Sequence, residues 1–190
     1  MTTSFKDRNA APPRVVINAI DLLVADHQEF CLLVQGNSML PLIRVGDLLL
    51  IRQQTDAVHQ GEILTFRLGE QLVAHRVLKV YRAAQGLTGF LTKGDHSLSI
   101  DPMVSLDQVI GKVVAIRRGE RQMRLDRQGW QAANRIISLV MVGLSMLSQT
   151  GEQTISPGRS GFREIMIQAG QACLALLLKT SEALFGSWET

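Results

Sequence analysis

A serine, a histidine and two aspartates lie in three segments whose residue types suit nucleophilic catalysis. Ser38 lies in the segment Gly-Asn-Ser-Met-Leu-Pro at residues 36–41. A serine hydroxyl is a weak nucleophile, so it needs a general base within hydrogen-bond reach and donors directed at the developing oxyanion. A strand that ends at Gly36 and turns sharply would present Ser38 on an exposed corner, with its backbone N–H toward that oxyanion. Taken alone, Gly-Asn-Ser is typical of an ordinary turn.

His75 is the candidate general base, and it lies within the apolar segment 72–78. Because side chains alternate between the faces of a strand, His75 shares a face with Val73 and Val77 and opposes Arg76. An imidazole on an apolar face is desolvated and held in place, and its pKa lies near working pH, which suits proton transfer. The alternative interpretation is a core histidine that bonds a backbone carbonyl.

Asp95 and Asp101 supply two carboxylates in the polar segment 92–102. Either carboxylate could orient the imidazole and stabilise its cationic form, as the third member of a catalytic triad does. Gly-Asp and Asp-Pro pairs also form turns for local reasons, so each aspartate alone is equally consistent with a structural role.

The segments that must position these residues are short apolar runs separated by glycine-containing turns. Each run has the length of a strand, and most are rich in Val, Ile, Leu or Phe. The runs cover residues 31–34, 47–51, 63–66, 72–80, 89–92 and 109–116. The pattern predicts a compact, mainly β domain over residues 31–118.

The flanking regions differ from this β domain in character. Residues 1–12 are expected to be a flexible tail, and residues 13–30 an amphipathic N-terminal helix. Residues 119–190 are expected to form a basic segment followed by two helices, near 130–147 and 161–185. Basic residues beside an apolar helix favour anionic lipid surfaces, so residues 117–147 could contact a membrane. The alternative is that both helices pack on the β domain or on each other.

Composition and charge exclude several classes of protein. Hydrophobic residues make up 46% and charged residues 19% of the 190 residues, which is typical of a packed chain. The net charge of +3 is too small to indicate a nucleic-acid partner. Cys31 and Cys173 are predicted to be reduced, buried thiols, and because their spacing does not suit a metal site, neither a metal nor another cofactor is expected.

The sequence also predicts a protein without a membrane-spanning anchor. The N-terminus has no long apolar run behind its basic residues, so it does not have the pattern of a secretory signal. The longest apolar helical candidate, residues 136–147, would measure about 18 Å, which is short of the ~30 Å hydrocarbon core. We therefore expect a cytoplasmic or peripherally membrane-associated protein.

In combination, these segments resemble the catalytic core of the signal peptidase I superfamily. The nucleophile segment of that family is Gly-x-Ser-Met-x-Pro, as in residues 36–41 here, and its histidine-containing archaeal and endoplasmic-reticulum branch has His-Arg-Val, as in residues 75–77. Further matches are the Gly-Asp at 46–47, the Gly-Glu-Ile at 61–63, the Lys-Gly-Asp at 93–95, Asp101 six residues later, and the Gly-Lys-Val at 111–113. The resemblance covers roughly residues 32–118.

The resemblance implies a coiled, mostly antiparallel β fold, shared with the self-cleaving SOS repressors. It also implies a serine endopeptidase that forms an acyl-enzyme on Ser38, with His75 as base, Asp101 as the assisting carboxylate and Asp95 as a supporting one. The substrate would be a peptide or protein segment bound as an extended strand, with small side chains before the cut. Two alternatives stay open: a self-cleaving regulatory protease, and a binding module that has lost turnover.

The chain departs from the family pattern in two places. Family members that remove signal peptides usually have an N-terminal transmembrane anchor, whereas residues 13–30 predict a short amphipathic helix. Some members take a second oxyanion donor from a serine two residues before the nucleophile, and Gly36 occupies that place here. The side-chain amide of Asn37 is the candidate substitute. Lys79 is expected to be a solvated strand residue, and Lys93 to frame the catalytic loop.

Overall fold

The computed structural model describes residues 29–53, 58–84, 86–97 and 99–150, and six further residues between 172 and 180. Its strands are β1 (Phe30–Leu33), β2 (Leu48–Arg52), β3 (Ile63–Leu68), β4 (Gln71–Ala83), β5 (Gly86–Lys93), β6 (Val104–Ser105), β7 (Val109–Arg118) and β8 (Arg121–Arg124). A short 3₁₀ turn covers Leu106–Gln108, and helix α1 covers Gln128–Thr150. The predicted tail, nearly all of the N-terminal helix and most of the last helix lie outside the described residues.

The strands form one antiparallel sheet of eight strands in the order β1-β2-β7-β3-β4-β5-β6. β7 pairs with β2 on one side, and on the other side with β3 and then with β8. The predicted mainly β, antiparallel fold is therefore confirmed, and each of the six predicted runs is a strand. The division into domains stays a prediction, although β8 extends the sheet beyond the expected boundary at residue 118.

The strands β6 and β8 were not predicted, because neither has an apolar run of strand length. β6 contains only two residues. In β8 a single buried methionine, Met123, alternates with arginine and glutamine. This strand follows β7 through a tight turn at Gly119, whose φ of 60° suits a residue without a side chain. Part of the basic segment therefore belongs to the sheet.

The core lies on both faces of strand β4. Val77 belongs to a small cluster with Leu64, Phe66 and Phe90. Leu78, the next residue, belongs to the larger cluster, which also contains residues of β2, β7 and α1. Because successive side chains of a strand point to opposite faces, β4 is covered on both sides over this stretch. A strand buried in this way is a rigid support for the side chains that it carries.

Helix α1 packs against the larger cluster along one face. Trp130, Ala133, Ile137 and Met141 recur at helical spacing and are buried there. Ser138 adds a 3.1 Å hydrogen bond to the backbone oxygen of Val77. The two alternatives for this region were contact with a membrane surface and packing on the β domain. The described part of α1 packs on the β domain.

The other face of α1 carries exposed apolar side chains. Ile136 and Leu139 lie on it and are both more than half exposed. Within the ranges that the structure covers, no helix has both the length and the apolar character needed to cross a membrane. Membrane-surface contact through residues 117–147 stays a prediction.

The predicted burial of Cys31 is wrong. The residue is a free thiol in β1, but it is exposed. In this strand Phe30 points into the core, so the alternation of side chains turns Cys31 to the open face. Cys173 lies outside the described residues.

The close approach of α1 to Gly61 provides a test of how the helix is seated. A Cβ built on Gly61 would lie 2.3 Å from the backbone oxygen of Asn134. Gly61 also has a φ of +93°, and the matched control is Gly46, whose φ is +90° and whose Cβ would meet nothing within 4 Å. We expect Gly46→Ala to cost about 1–2 kcal/mol of unfolding free energy through backbone strain alone.

Gly61→Ala should cost about 1–3 kcal/mol more than this control, since α1 must also be displaced. Urea unfolding of both variants measures the difference. Equal losses in the two variants would contradict the observed seating of α1.

Candidate active site

The nucleophile candidate Ser38 lies in the loop between β1 and β2, close to the end of β1. Met39, Leu42 and Ile43, which follow it, are buried in the larger core cluster. The N–H of Ile43 donates to the backbone oxygen of Met39 over 3.0 Å, which winds this stretch into a compact turn. The apolar residues after the serine therefore anchor the loop, while Ser38 itself stays partly exposed at its corner.

A partly buried ion pair between Arg118 and Asp47 closes the same loop. The guanidinium of Arg118 donates to both carboxylate oxygens of Asp47, over 2.8 and 2.7 Å, and to the backbone oxygen of Leu42. The backbone N–H of Arg44 also donates to Asp47. The Gly-Asp motif at residues 46–47 thus ties the nucleophile loop to the end of β7.

His75 extends from β4 directly to the nucleophile. Its Nε2 atom lies 3.0 Å from the hydroxyl oxygen of Ser38. The imidazole is 92% buried and meets the Phe66 ring edge-on, with 6.1 Å between ring centres. The predicted apolar face is confirmed, because Val77 belongs to the cluster that contains Phe66 and Val73 packs against that cluster.

Asp101 lies on the far side of the imidazole from the nucleophile. Its Oδ2 atom is 2.7 Å from Nδ1 of His75. The Thr92 hydroxyl donates to the same oxygen over 2.8 Å, and the Asp101 N–H donates to the backbone oxygen of Thr92 over 2.9 Å. An ionised carboxylate can only accept hydrogen bonds. The proton of a neutral His75 therefore lies on Nδ1, and Nε2 is left to accept the proton of the Ser38 hydroxyl.

The turn at residues 94–97, called the catalytic turn below, packs against both the base and the nucleophile. A Cβ on Gly94 would lie 2.7 Å from the backbone oxygen of Ser38 and 3.1 Å from Nε2 of His75. The N–H of His96 donates to that same oxygen of Ser38 over 2.8 Å. A glycine is needed at 94 because any side chain would separate the turn from the two reactive groups.

Asp95, the predicted supporting carboxylate, pairs with Arg76, the residue that follows the base in β4. Its two carboxylate oxygens accept from Nε and Nη2 of Arg76, over 2.8 and 2.7 Å. Both side chains are completely buried. Arg76 and His75 are neighbours in β4 and point to opposite faces, so Asp95 lies behind the base. The structure brings together Ser38, His75 and Asp101, and it places Asp95 in the support of that group.

The two lysines near the site differ in their surroundings. Burial lowers the pKa of Lys93, which precedes the catalytic turn, and the nearby carboxylates of Asp95 and Asp101 oppose that shift. Lys79 is exposed and its ammonium lies 5.0 Å from the centre of the Tyr81 ring. Among the described residues, no group of three or more His, Cys, Asp or Glu side chains is arranged to hold a metal ion.

Sequence reasoning missed two polar residues that support the site, Thr92 and Asn134. Thr92 pairs with Val77 across β4 and β5, and paired residues share a face, so Thr92 faces the same side as His75. A strand register would have been needed to find it. Asn134 could have been found from the sequence, because it is a polar residue on the apolar face of a predicted helix, and a buried polar group needs a hydrogen-bond partner.

Removing the charge of Asp95 should lower the free energy of unfolding far more than removing that of a partly exposed aspartate. Asp126 is a matched control, because it also accepts two hydrogen bonds from one arginine, Arg124, but its side chain is 23% exposed. Asp95→Asn leaves the buried charge of Arg76 uncompensated and should cost about 3–5 kcal/mol of unfolding free energy. Asp126→Asn should cost about 1 kcal/mol or less at neutral pH.

Denaturant unfolding at several pH values measures both differences. The hydrogen bonds from Arg124 lower the pKa of Asp126 below its ordinary 3.8. Stability from Asp126 is therefore present above pH 3.8 and is lost as the pH falls through the lowered value. Similar losses of unfolding free energy in the two variants at pH 7 would show that the buried Arg76–Asp95 pair stabilises the fold no more than the partly exposed Arg124–Asp126 pair does.

Comparison with known proteins provides an independent line of evidence. The family model described as Peptidase S24-like matches residues 6–87, a range that contains Ser38 and His75 and ends before Asp101. No curated protein matches the chain. Residues 6–87, a little under half of the 190-residue chain, are therefore similar to the Peptidase S24-like family.

Proposed function

We propose that this protein is a serine endopeptidase that cleaves a peptide or leader segment through an acyl-enzyme on Ser38. The observation that carries the proposal is the line of hydrogen bonds from the Ser38 hydroxyl through His75 to Asp101, with distances of 3.0 and 2.7 Å. These distances are within the range in which a base can take a proton from its nucleophile. The similarity of residues 6–87 to the Peptidase S24-like family supports the same assignment.

The reaction follows from the roles of the two imidazole nitrogens. As the Ser38 oxygen attacks the scissile carbonyl carbon, Nε2 of His75 takes the hydroxyl proton, and Asp101 stabilises the imidazolium. His75 then gives this proton to the leaving amine, so the peptide C–N bond breaks and an ester remains on Ser38. A water molecule attacks the ester, again with His75 as base, and the proton returns to the Ser38 oxygen as the acid product leaves.

The oxyanion of the tetrahedral intermediate needs donors close to Ser38. We assign this role to the backbone N–H of Ser38, since the loop presents that residue at an exposed corner. Gly36 has no side chain to contribute, and the exposed Asn37 is the proposed second donor through its amide. Donors of this kind stabilise the transition state more than the substrate, because the negative charge develops only during the attack.

Strand β1 is the proposed docking edge for the substrate. Within the described residues β1 pairs with β2 alone, and an added strand would pair with its other side. It ends shortly before Ser38, and Leu33 on it is more than half exposed. A substrate that pairs with this edge as an extended strand would lead its backbone to the nucleophile. The family resemblance suggests small side chains before the cut and a leader segment as the physiological target.

A second candidate is cleavage of the protein's own chain, as in the self-cleaving repressors that share the resemblance. The S24-like match is compatible with both candidates. The two are separated by the rate law. Intramolecular self-cleavage has a rate constant independent of protein concentration, whereas cleavage of an added peptide depends on both concentrations.

Removing either reactive side chain should abolish turnover. Ser38→Ala and His75→Ala should each lower kcat by about 10⁴-fold or more, because the two groups act as one unit. Products from a peptide library are measured by mass spectrometry. His59→Ala is the control, since this side chain is 55% exposed and the hydrogen bond of the residue to Glu62 comes from its backbone N–H. A fluorophosphonate probe should label the parent on Ser38. Undiminished cleavage by His75→Ala would refute the mechanism.

Thr92 should affect the chemical step and not substrate binding. Thr92→Val keeps the shape of the side chain but removes the hydroxyl that orients Asp101, and we expect kcat to fall about 10-fold with KM nearly unchanged. Thr92→Ser, which keeps the donor, should retain most of the activity. Steady-state kinetics of the three proteins decide the point, and a valine variant as fast as the parent would show that this hydrogen bond has no part in catalysis.

A further inference from the structure

We propose that Asn134 of helix α1 is a positioning residue for the active site, acting on the catalytic turn through Arg76 and Asp95. The inference rests on the proposed function and extends it to an element outside residues 6–87, the range of the family match. Asn134 does not touch the reacting groups. It accepts a hydrogen bond from Arg76, and Arg76 in turn holds Asp95 of the catalytic turn, which packs against Ser38 and His75.

The first step is the environment of Arg76, which is completely buried. Its Nη1 atom donates to the side-chain oxygen of Asn134 over 2.6 Å and to the backbone oxygen of Gly61 over 2.8 Å. Its Nε and Nη2 atoms donate to the two carboxylate oxygens of Asp95. A buried guanidinium is tolerated only when its donors are satisfied, so Asn134 and Gly61 fix where the guanidinium plane lies.

The second step leads from Arg76 to the reactive groups. The fork of two hydrogen bonds to Asp95 sets both the position and the orientation of that carboxylate. Asp95 stands between Gly94, which packs on His75 and Ser38, and His96, whose N–H holds the Ser38 backbone oxygen. A displacement of Arg76 would therefore move the turn that touches the base and the nucleophile together.

The third step is that Asn134 cannot follow such a displacement. Its helix is fixed by the burial of Trp130 and Ile137 on either side. The backbone oxygen of Asn134 also lies against Gly61, where a Cβ would clash with it. The helix is therefore closely seated at the point where the amide of Asn134 meets Arg76.

The chemistry of the amide is also specific. A neutral oxygen accepts from Arg76 without competing for its charge, so the ion pair with Asp95 keeps its geometry. An aspartate at position 134 would offer Arg76 a second carboxylate and draw it away from the catalytic turn. A leucine of similar size would leave one guanidinium donor without its acceptor.

The experiment compares Asn134→Leu with Ser138→Ala in the full-length protein. Both changes remove one buried hydrogen bond between α1 and β4, but only the first involves Arg76. We expect both variants to be folded at the assay temperature, with lowered Tm. Asn134→Leu should reduce kcat about 10- to 100-fold with KM within about 2-fold, because small misplacements at a catalytic site have large effects on rate. Ser138→Ala should keep kcat within about 2-fold of the parent. Equal kcat losses would overturn the inference.

A readout that does not need turnover separates this inference from the proposed function. In a Ser38→Ala background, the proton NMR signal of the His75 Nδ1–H reports the bond to Asp101. The inference requires this signal to shift or broaden with Asn134→Leu and to stay unchanged with Ser138→Ala. The opposite pattern, or equal changes, would overturn it even if the parent is active. Failure of the parent to cleave or to label would instead refute the proposed function alone.

If Asn134→Leu does not fold, Asn134→Asp takes its place. It keeps an oxygen acceptor toward Arg76 and should fold, yet it should lower kcat and shift the His75 signal by pulling Arg76 from Asp95. A folded Asn134→Asp with parental kcat and an unchanged signal would overturn the inference.

Discussion

The ion pair between Arg76 and Asp95 is the interaction on which the arrangement of the site depends. Both side chains are without solvent contact, so neither charge is stabilised by water. Desolvation of each ion costs several kcal/mol, which is recovered only when the partners and their remaining hydrogen bonds are in place. The pair therefore contributes less to the free energy of unfolding than to the selection of one packing arrangement. It is satisfied in one arrangement of β4, the catalytic turn and helix α1, and every other arrangement leaves a buried charge without its partner.

The alternation of side chains along β4 separates chemistry from support. His75 points to the face that carries Phe66 and Val77, where an imidazole can be held without competing donors. Arg76 points to the other face, where the helix lies. Since the two residues are consecutive, a restraint on Arg76 is also a restraint on the backbone of His75. The same strand can thus place a base with a precision that a loop would not provide, because both of its faces are buried.

The sequence was informative where function depends on local pattern. The alternation in residues 72–78 placed His75 on an apolar face, and the apolar runs located the main strands. Long-range pairing was less accessible. In the sequence Asp95 and Asp101 are two similar carboxylates on one loop. Only the fold shows that Asp101 faces Nδ1 of His75 whereas Asp95 faces Arg76. The polar residue on the buried side of α1 was readable as an anomaly, but its acceptor role depends on a contact across 58 residues of sequence.

The division of labour between the two aspartates explains why their loop must be both short and tightly packed. Asp101 returns to β5 through the hydrogen bond of its N–H to the Thr92 oxygen, so the segment between them is closed at its base. Within that closed segment, Gly94 packs against Ser38 and His75, and Asp95 bonds Arg76, whose side chain lies on the opposite face of β4 from His75. A loop held at both faces of one strand has little freedom to alter the distance between Asp101 and His75. The orientation of the imidazole is therefore determined before a substrate arrives, which is the condition that preorganised proton transfer requires.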